Sequence, residues 1–243
     1  MATDKRAPAD AHEHGPGHHH RDVSGGWLRP AVFGAMDGLV TNVSLIAGVS
    51  GGNASSQAIV LTGLAGLAAG AFSMAAGEYV SVSSQNELIQ AEVDKERLEL
   101  EQNPVFEQAE LASMLRARGV SAATARQAAA EISAQPDKAL AVHALEELGV
   151  NPSELPSPVV AAGASMASFA VGALIPLFPY LVGVDVLGVA LAFAAVAAIA
   201  GGGIVARLTN RPFWRGALRQ LVLGAAAAGI TYLIGILFHN VTG

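Results

Sequence analysis

Two carboxylates, Asp37 and Glu78, interrupt otherwise apolar stretches of this chain. An ionisable side chain at membrane depth costs about 3 kcal/mol or more unless it faces water, a partner or an ion, so each is a candidate for moving a cation or a proton. Asp37 follows Met36 and precedes Asn42 by five positions. A structural acid paired with an arginine at a helix end is the competing reading, but no basic residue lies inside an apolar stretch to neutralise it. Glu78 stands four residues after Met74, on the same helical face. A carboxylate and a thioether one turn apart suit a borderline divalent ion better than Mg²⁺ or Ca²⁺. The competing reading makes Met74 a packing residue and Glu78 a boundary acid.

A second group lies in a polar context. Residues 86–155 carry 13 acidic and 6 basic side chains. Glu92, Glu96 and Glu99 follow an i, i+4, i+7 pattern, Glu107 and Glu110 are three apart, and His143 precedes Glu146 and Glu147 by three and four. Carboxylates aligned on neighbouring helices repel unless cations neutralise them, so these could form a polynuclear, oxygen-rich site. A solvated acidic face is the competing and, on charge pattern alone, commoner explanation. Ferritin-type di-iron chemistry is disfavoured, because the insert has no Glu-x-x-His pair. The amino-terminal His12, His14, His18, His19 and His20 could bind metal weakly or form a solvated tail, and a tract without period cannot preorganise a site.

The chain has no cysteine, which leaves Met and His as its only soft or borderline ligands. It contains no phosphate-binding loop, nucleophile elbow or zinc-ligand spacing, so an enzyme is not expected. The Gly201, Gly202, Gly203 run lies inside an apolar stretch, where helix packing explains it better than phosphate binding. A net charge of −6 argues against a nucleic-acid partner.

These residues need elements to position them, and composition says which. Of 243 residues 52% are hydrophobic and only 14% charged. Soluble domains carry about 25% charged residues. Apolar runs at 31–51, 57–85, 159–182, 186–206 and 216–238 give five spans. The second would reach about 43 Å, beyond the ~30 Å hydrocarbon core, and is expected to project from the membrane. The chain thus divides into a disordered His-rich tail (1–28), helices 1 and 2 (29–85), an acidic helical insert (86–156) and helices 3 to 5 (157–243). Residues 1–26 do not read as a signal peptide.

All 14 Lys and Arg residues fall in the tail, the insert, the 207–215 loop or at their membrane edges, and none in the 52–56 or 183–185 turns. The excess of positive charge on cytoplasmic loops then puts the amino terminus and insert in the cytoplasm and the carboxyl terminus outside. Within the insert, Pro104 can start a helix, Gly119 and Gly149 can stop one, and Ser121 can cap one. Helices are expected over 87–101, 106–118, 121–134 and 137–148. Glycines at 34 and 38, and at 66 and 70, allow close helix approach.

Taken in order, FGAMDGLVTNVSLIAGVSGG at 33–52, FSMAAGEYVSVSSQNELIQAEVDKERLEL at 72–100, FEQAELASMLRARGVS at 106–121 and, more loosely, HALEELGVNPSEL at 143–155 resemble the vacuolar iron transporter family. The resemblance covers about 29–240. It implies an all-α membrane protein of five transmembrane helices with a cytoplasmic metal-binding insert between helices 2 and 3. It implies that Asp37 and Met74 line an ion path at a homodimer interface, with Glu78, Asn42 and Met36 beside them. It also implies that Glu96, Glu99, Glu107, Glu110 and Glu147 bind metal, with Glu92 near them. Some relatives place paired methionines where this chain has His143-Ala144, so His143 would substitute as a nitrogen ligand.

The expected activity is proton-coupled export of Fe²⁺ from the cytoplasm, with Mn²⁺ next and Zn²⁺ or Co²⁺ as further candidate ions. Its partners would be metal ions, protons, the lipid bilayer and a second copy. A membrane-anchored metal sensor or buffer and a passive divalent channel are the alternatives. A bacterial plasma membrane is favoured by the lack of a recognisable organelle-targeting segment.

Overall fold

The computed structural model describes residues 26–242, so the His-rich tract lies outside the described residues. Eight α-helices follow one another: α1 Leu28–Gly51, α2 Ser56–Gln102, α3 Pro104–Ala117, α4 Ala122–Ser133, α5 Pro136–His143, α6 Pro158–Leu181, α7 Leu187–Leu208 and α8 Phe213–Thr242. A π-helical turn, Ala144–Leu148, continues α5, and a 3₁₀ turn, Pro152–Glu154, leads towards α6. No strand occurs among the described residues. Helices α1, α2, α6, α7 and α8 are long and apolar enough to cross a membrane.

Local signals set the boundaries. Ser55, Ser121 and Ser157 each accept a hydrogen bond from the backbone N–H three residues on, at 3.3, 3.3 and 3.4 Å, and so begin α2, α4 and α6. Pro104 sits in the first turn of α3. Gly119 and Gly149 adopt φ of +95° and +68°, open to glycine at no cost, where α3 and the π turn end. The 47 residues of α2 extend about 70 Å, so membrane span and first insert helix are one rod.

Helix α1 is the centre of the bundle. Leu39, Val43, Ile46 and Ala47 are buried on it, and α6 crosses it at backbone distance. A Cβ on Gly34 or Gly38 would strike the carbonyls of Ser165 and Phe169, and one on Gly172 would strike that of Ala35. The opposite side of α1 meets α8, where the Thr231 hydroxyl donates to the Ser44 carbonyl at 2.7 Å. The Gly66 and Gly70 pair does something else: it makes room for the side chains of Leu45 and Phe169. These glycines therefore close contacts within the protomer. The Gly run on α7 packs as expected, with Gly202 against Gly216 and Gly203 under the Phe213 ring. Outward-facing Leu61, Phe72 and Leu233 are 64–72% exposed, a surface suited to lipid rather than water.

Candidate metal centre and membrane-embedded residues

The insert brings together four side chains that are far apart in sequence. Glu96 comes from the upper part of α2, Glu107 from the first turn of α3, His143 from the end of α5 and Glu147 from the π turn. One ligand atom from each lies within 4.8 Å of all the others. His143 Nδ1 is 3.0 Å from Glu96 Oε1, 3.1 Å from Glu147 Oε1 and 3.9 Å from Glu107 Oε2. Ligands about 2.1 Å from one ion in octahedral geometry are ~3 Å from their neighbours, so the spacing fits a shared divalent cation after small adjustments.

Local folding explains the convergence. Leu111, Ala112 and Ala129, with Leu115, Ile132 and Val142 packed around them, hold α3, α4 and α5 together. The apolar side of α3 is thereby fixed, and its first turn presents Glu107 towards α2. The sequence expectation of one helix over 137–148 is corrected in part: α5 stops at His143 and widens into π geometry over Ala144–Leu148. Such one-turn insertions re-aim side chains and are frequent at functional sites. Arg118 Nε pairs with Glu146 Oε2 at 2.8 Å and ties that turn to the end of α3.

The electrostatics are those of a site waiting for positive charge. Glu96, Glu107 and His143 are buried, whereas the Glu147 side chain is 29% exposed at the rim. Burial pushes the Glu96 carboxyl up to about 7, reinforced by repulsion from Glu147, Glu107 and Glu99 and opposed by His143. Burial also raises Glu107, with repulsion from Glu110 next in importance. The hydrogen bond of His143 Nδ1 goes to Glu147 Oε1, which leaves the nearby Glu96 Oε1, and His143 Nε2 on the other side of the ring, buried without a hydrogen-bond partner. Glu99 and Glu110 are partly buried and act on this centre through their charge, while Glu92 is exposed and belongs to the solvated face of α2.

The membrane-embedded candidates do not converge on one point in the protomer. Asp37 lines a hollow of about 660 Å³ between α1, α7 and α8, with Arg29, Met36, Thr209, Arg219 and Gln220. No residue of α2 lines it. The thioether beside Asp37 is thus Met36, whose methyl lies over Gly201, whereas Met74 packs with Leu67 around Ala71, Phe169 and Ala173. Arg29 and Arg219 share the Asp37 hollow yet form no salt bridge with it among the described residues. Asn42 is buried on the other face of α1, where its Nδ2 donates to the Ala173 carbonyl at 2.6 Å and its Oδ1 has no partner. Glu78 is half-buried on α2, one turn beyond Met74. Sequence reasoning placed Arg219 at the start of the last span but missed it as a neighbour of Asp37. The only signal was that Arg219 has no acid near it in sequence.

A family model described as the VIT family matches residues 28–236. The chain belongs to the VIT family. It is 38% identical over 231 residues to a vacuolar iron transporter of Acanthamoeba castellanii, covering 91% of this chain and 83% of that protein. To vacuolar iron transporter homolog 1 of Oryza sativa subsp. japonica it is 37% identical over 218 residues, 87% of this chain and 74% of the relative. Vacuolar iron transporter 1 of the same plant is 29% identical over 231 residues, covering 93% and 90%. VIT-family proteins are transporters and not enzymes, and this member is an integral membrane protein with five candidate spans.

Proposed function

We propose that this VIT-family chain exports ferrous iron from the cytoplasm in exchange for protons, with manganese as its second substrate. The observation that carries the reading is the convergence of buried Glu96, Glu107 and His143 with Glu147 at their rim. Three carboxylates and one imidazole form a borderline donor set suited to Fe²⁺ and Mn²⁺, with Zn²⁺ and Co²⁺ able to compete. The names of the relatives, vacuolar iron transporters, support iron as cargo.

In this reading the insert lies in the cytoplasm and captures the ion. Helix α2 carries Glu96 at one end and Met74 and Glu78 on its membrane part, so capture and entry share one rigid rod. The ion passes between two copies of the chain, where Asp37 takes metal and proton in turn, because both compete for one carboxylate. Met36, Met74 and Glu78 line the route, while Asn42, buried against α6, braces α1 beside it. A bacterial plasma membrane, with the amino terminus inside and the carboxyl terminus outside, is the proposed setting.

The test is Fe²⁺ flux in proteoliposomes with and without a pH gradient, comparing wild type, Asp37→Ala and a Glu96→Ala/Glu107→Ala variant. Gradient-driven flux that Asp37→Ala abolishes and the insert variant slows is the expected result. Equal flux without a gradient would instead describe a channel. One observation favours a sensor or buffer as the second reading: the four-residue set is complete within the insert and needs nothing from the Asp37 hollow. Metal binding without any flux would establish it.

A further inference from the structure

We infer that Asn42 is the pin of a hinge in α6, a positioning residue that lets the end of α6 beyond Pro176 swing while α1 keeps Asp37 in place. Helix α6 runs unbroken from Pro158 to Leu181 with Pro176 and Pro179 inside it, both fully buried. A proline has no N–H for the carbonyl four residues back, so the carbonyls of Gly172 and Ile175 lose their donors within the helix, and the ring pushes that turn open. In lipid a freed backbone group has to be met by a neighbouring helix. The side chain that reaches this turn is that of Asn42, 1% exposed on α1, whose Nδ2 donates to the carbonyl of Ala173 at 2.6 Å. Its Oδ1 has no partner and lies 3.5 Å from where a Cβ on Gly66 of α2 would stand, so among the described residues that bond alone holds the amide.

The packing on either side of the prolines differs in kind. Before them α6 is locked: a Cβ on Gly172 would strike the carbonyl of Ala35, and one on Gly38 that of Phe169, so α6 cannot shift there without leaving α1. Phe169 and Ala173 form one apolar cluster with Ala71 of α2. Beyond the prolines the contacts of α6 are made by side chains. Leu177 and Tyr180 belong to a separate cluster with Ile46, Ile59 and Ala190, and Phe178 stacks on Phe193 with ring centroids 6.4 Å apart. The last turns of α6 are thereby joined to the first turns of α2 and α7, and side-chain contacts can slide where backbone contacts cannot. Ala173 sits in the first cluster and Leu177 in the second, so the Asn42 hydrogen bond falls on the turn between two blocks, where a few residues absorb the backbone change of a hinge. The direction of opening rests on the proposed export cycle. With the insert in the cytoplasm, this end of α6 faces the side where the ion leaves, and its swing releases the ion while Asp37, five positions before Asn42 and on the other face of α1, stays fixed.

The experiment follows amide hydrogen exchange over residues 177–182 and Fe²⁺ flux in proteoliposomes for the full-length wild type, Asn42→Leu and Pro176→Ala. Asn42→Leu keeps the volume and removes the donor, so exchange at that end of α6 should quicken about tenfold. Maximal flux should fall about tenfold with the half-saturating Fe²⁺ concentration unchanged, because capture in the insert is untouched. Pro176→Ala returns an N–H to the Gly172 carbonyl; it should slow exchange there and slow flux as well, because the helix no longer bends. Opposite changes in local exchange with the same loss of flux are what a hinge produces and a merely structural brace does not. Wild-type flux in Pro176→Ala, or exchange over 177–182 unchanged in Asn42→Leu, would overturn the proposal. So would exchange in Asn42→Leu rising equally in all five spans. A wild type without Fe²⁺ flux would sink the export reading, and the hinge would then stand or fall on whether the two variants move local exchange in opposite directions.

Discussion

At the scale of single residues, the property that separates this centre from a solvated acidic face is burial together with mutual repulsion. Glu96 holds its proton up to about 7, against an ordinary carboxyl value of 4.5. Between those values the folded protein binds a proton that the unfolded chain does not, so this group's effect on metal-free stability becomes less favourable as pH rises through that window. A metal must displace the same proton, so affinity moves the other way. Titration of the purified protein with Mn²⁺ should show affinity rising about tenfold per pH unit up to pH 7 and levelling above it. Glu96→Gln should weaken binding and flatten that slope. A wild-type affinity independent of pH between 6 and 8 would show that Glu96 is not displaced by the ion. His143→Met keeps a ligand atom but exchanges nitrogen for thioether, and should weaken Mn²⁺ more than Fe²⁺, because Mn²⁺ is the harder ion.

At the scale of elements, glycine placement decides which helices touch and which only make room. Gly38→Leu drives a side chain into the backbone carbonyl of Phe169, and α6 cannot move without leaving α1. The loss should be about 3 kcal/mol or more, visible as a collapse of the melting temperature in detergent. Gly77→Leu, with nothing within 4 Å of an added Cβ, is the matched control and should be close to neutral. An equal effect of the two would mean that the α1 and α6 crossing is not held by that contact. Much of this architecture was legible beforehand, because spans announce themselves by apolar length and helix ends by Pro104, Gly119, Ser121 and Gly149. The convergence of Glu96 and Glu107 on His143 was not. It depends on a π turn with no sequence signature and on a small core at Leu111 and Ala129 that sets the angle of α3 against α2. Periodicity put Glu92 and Glu96 on one face, but only α3 and α5 determine where along that face burial begins. The separation of Asp37 from Met74 was hidden for the same reason: each helix is readable alone, while the side of α1 that meets α7 and α8 is a property of the assembled bundle.

At the scale of the whole molecule, direction of transport follows from orientation, and orientation from the distribution of charge. The turns joining α1 to α2 and α6 to α7 contain no Lys or Arg, whereas the insert carries six and the α7 to α8 turn with its flanking helix ends carries Arg207, Arg211 and Arg215. By the rule that positive charge stays on the cytoplasmic side, those two short turns are predicted to lie outside and the insert inside. The complete absence of cysteine makes the question direct, because a single introduced thiol is the only one that can react. Asp185→Cys, in the α6 to α7 turn, should be labelled by an impermeant maleimide added to intact cells. Ser153→Cys, in the 3₁₀ turn that closes the insert, should be labelled only after the cells are opened. Glu96 and His143 would then meet cytoplasmic metal first, and a proton gradient directed inward would drive the ion out. The reverse pattern would put the buried Glu96 centre on the outer face, where the same residues would serve uptake, and the export reading would fall even if Asp37→Ala abolished flux.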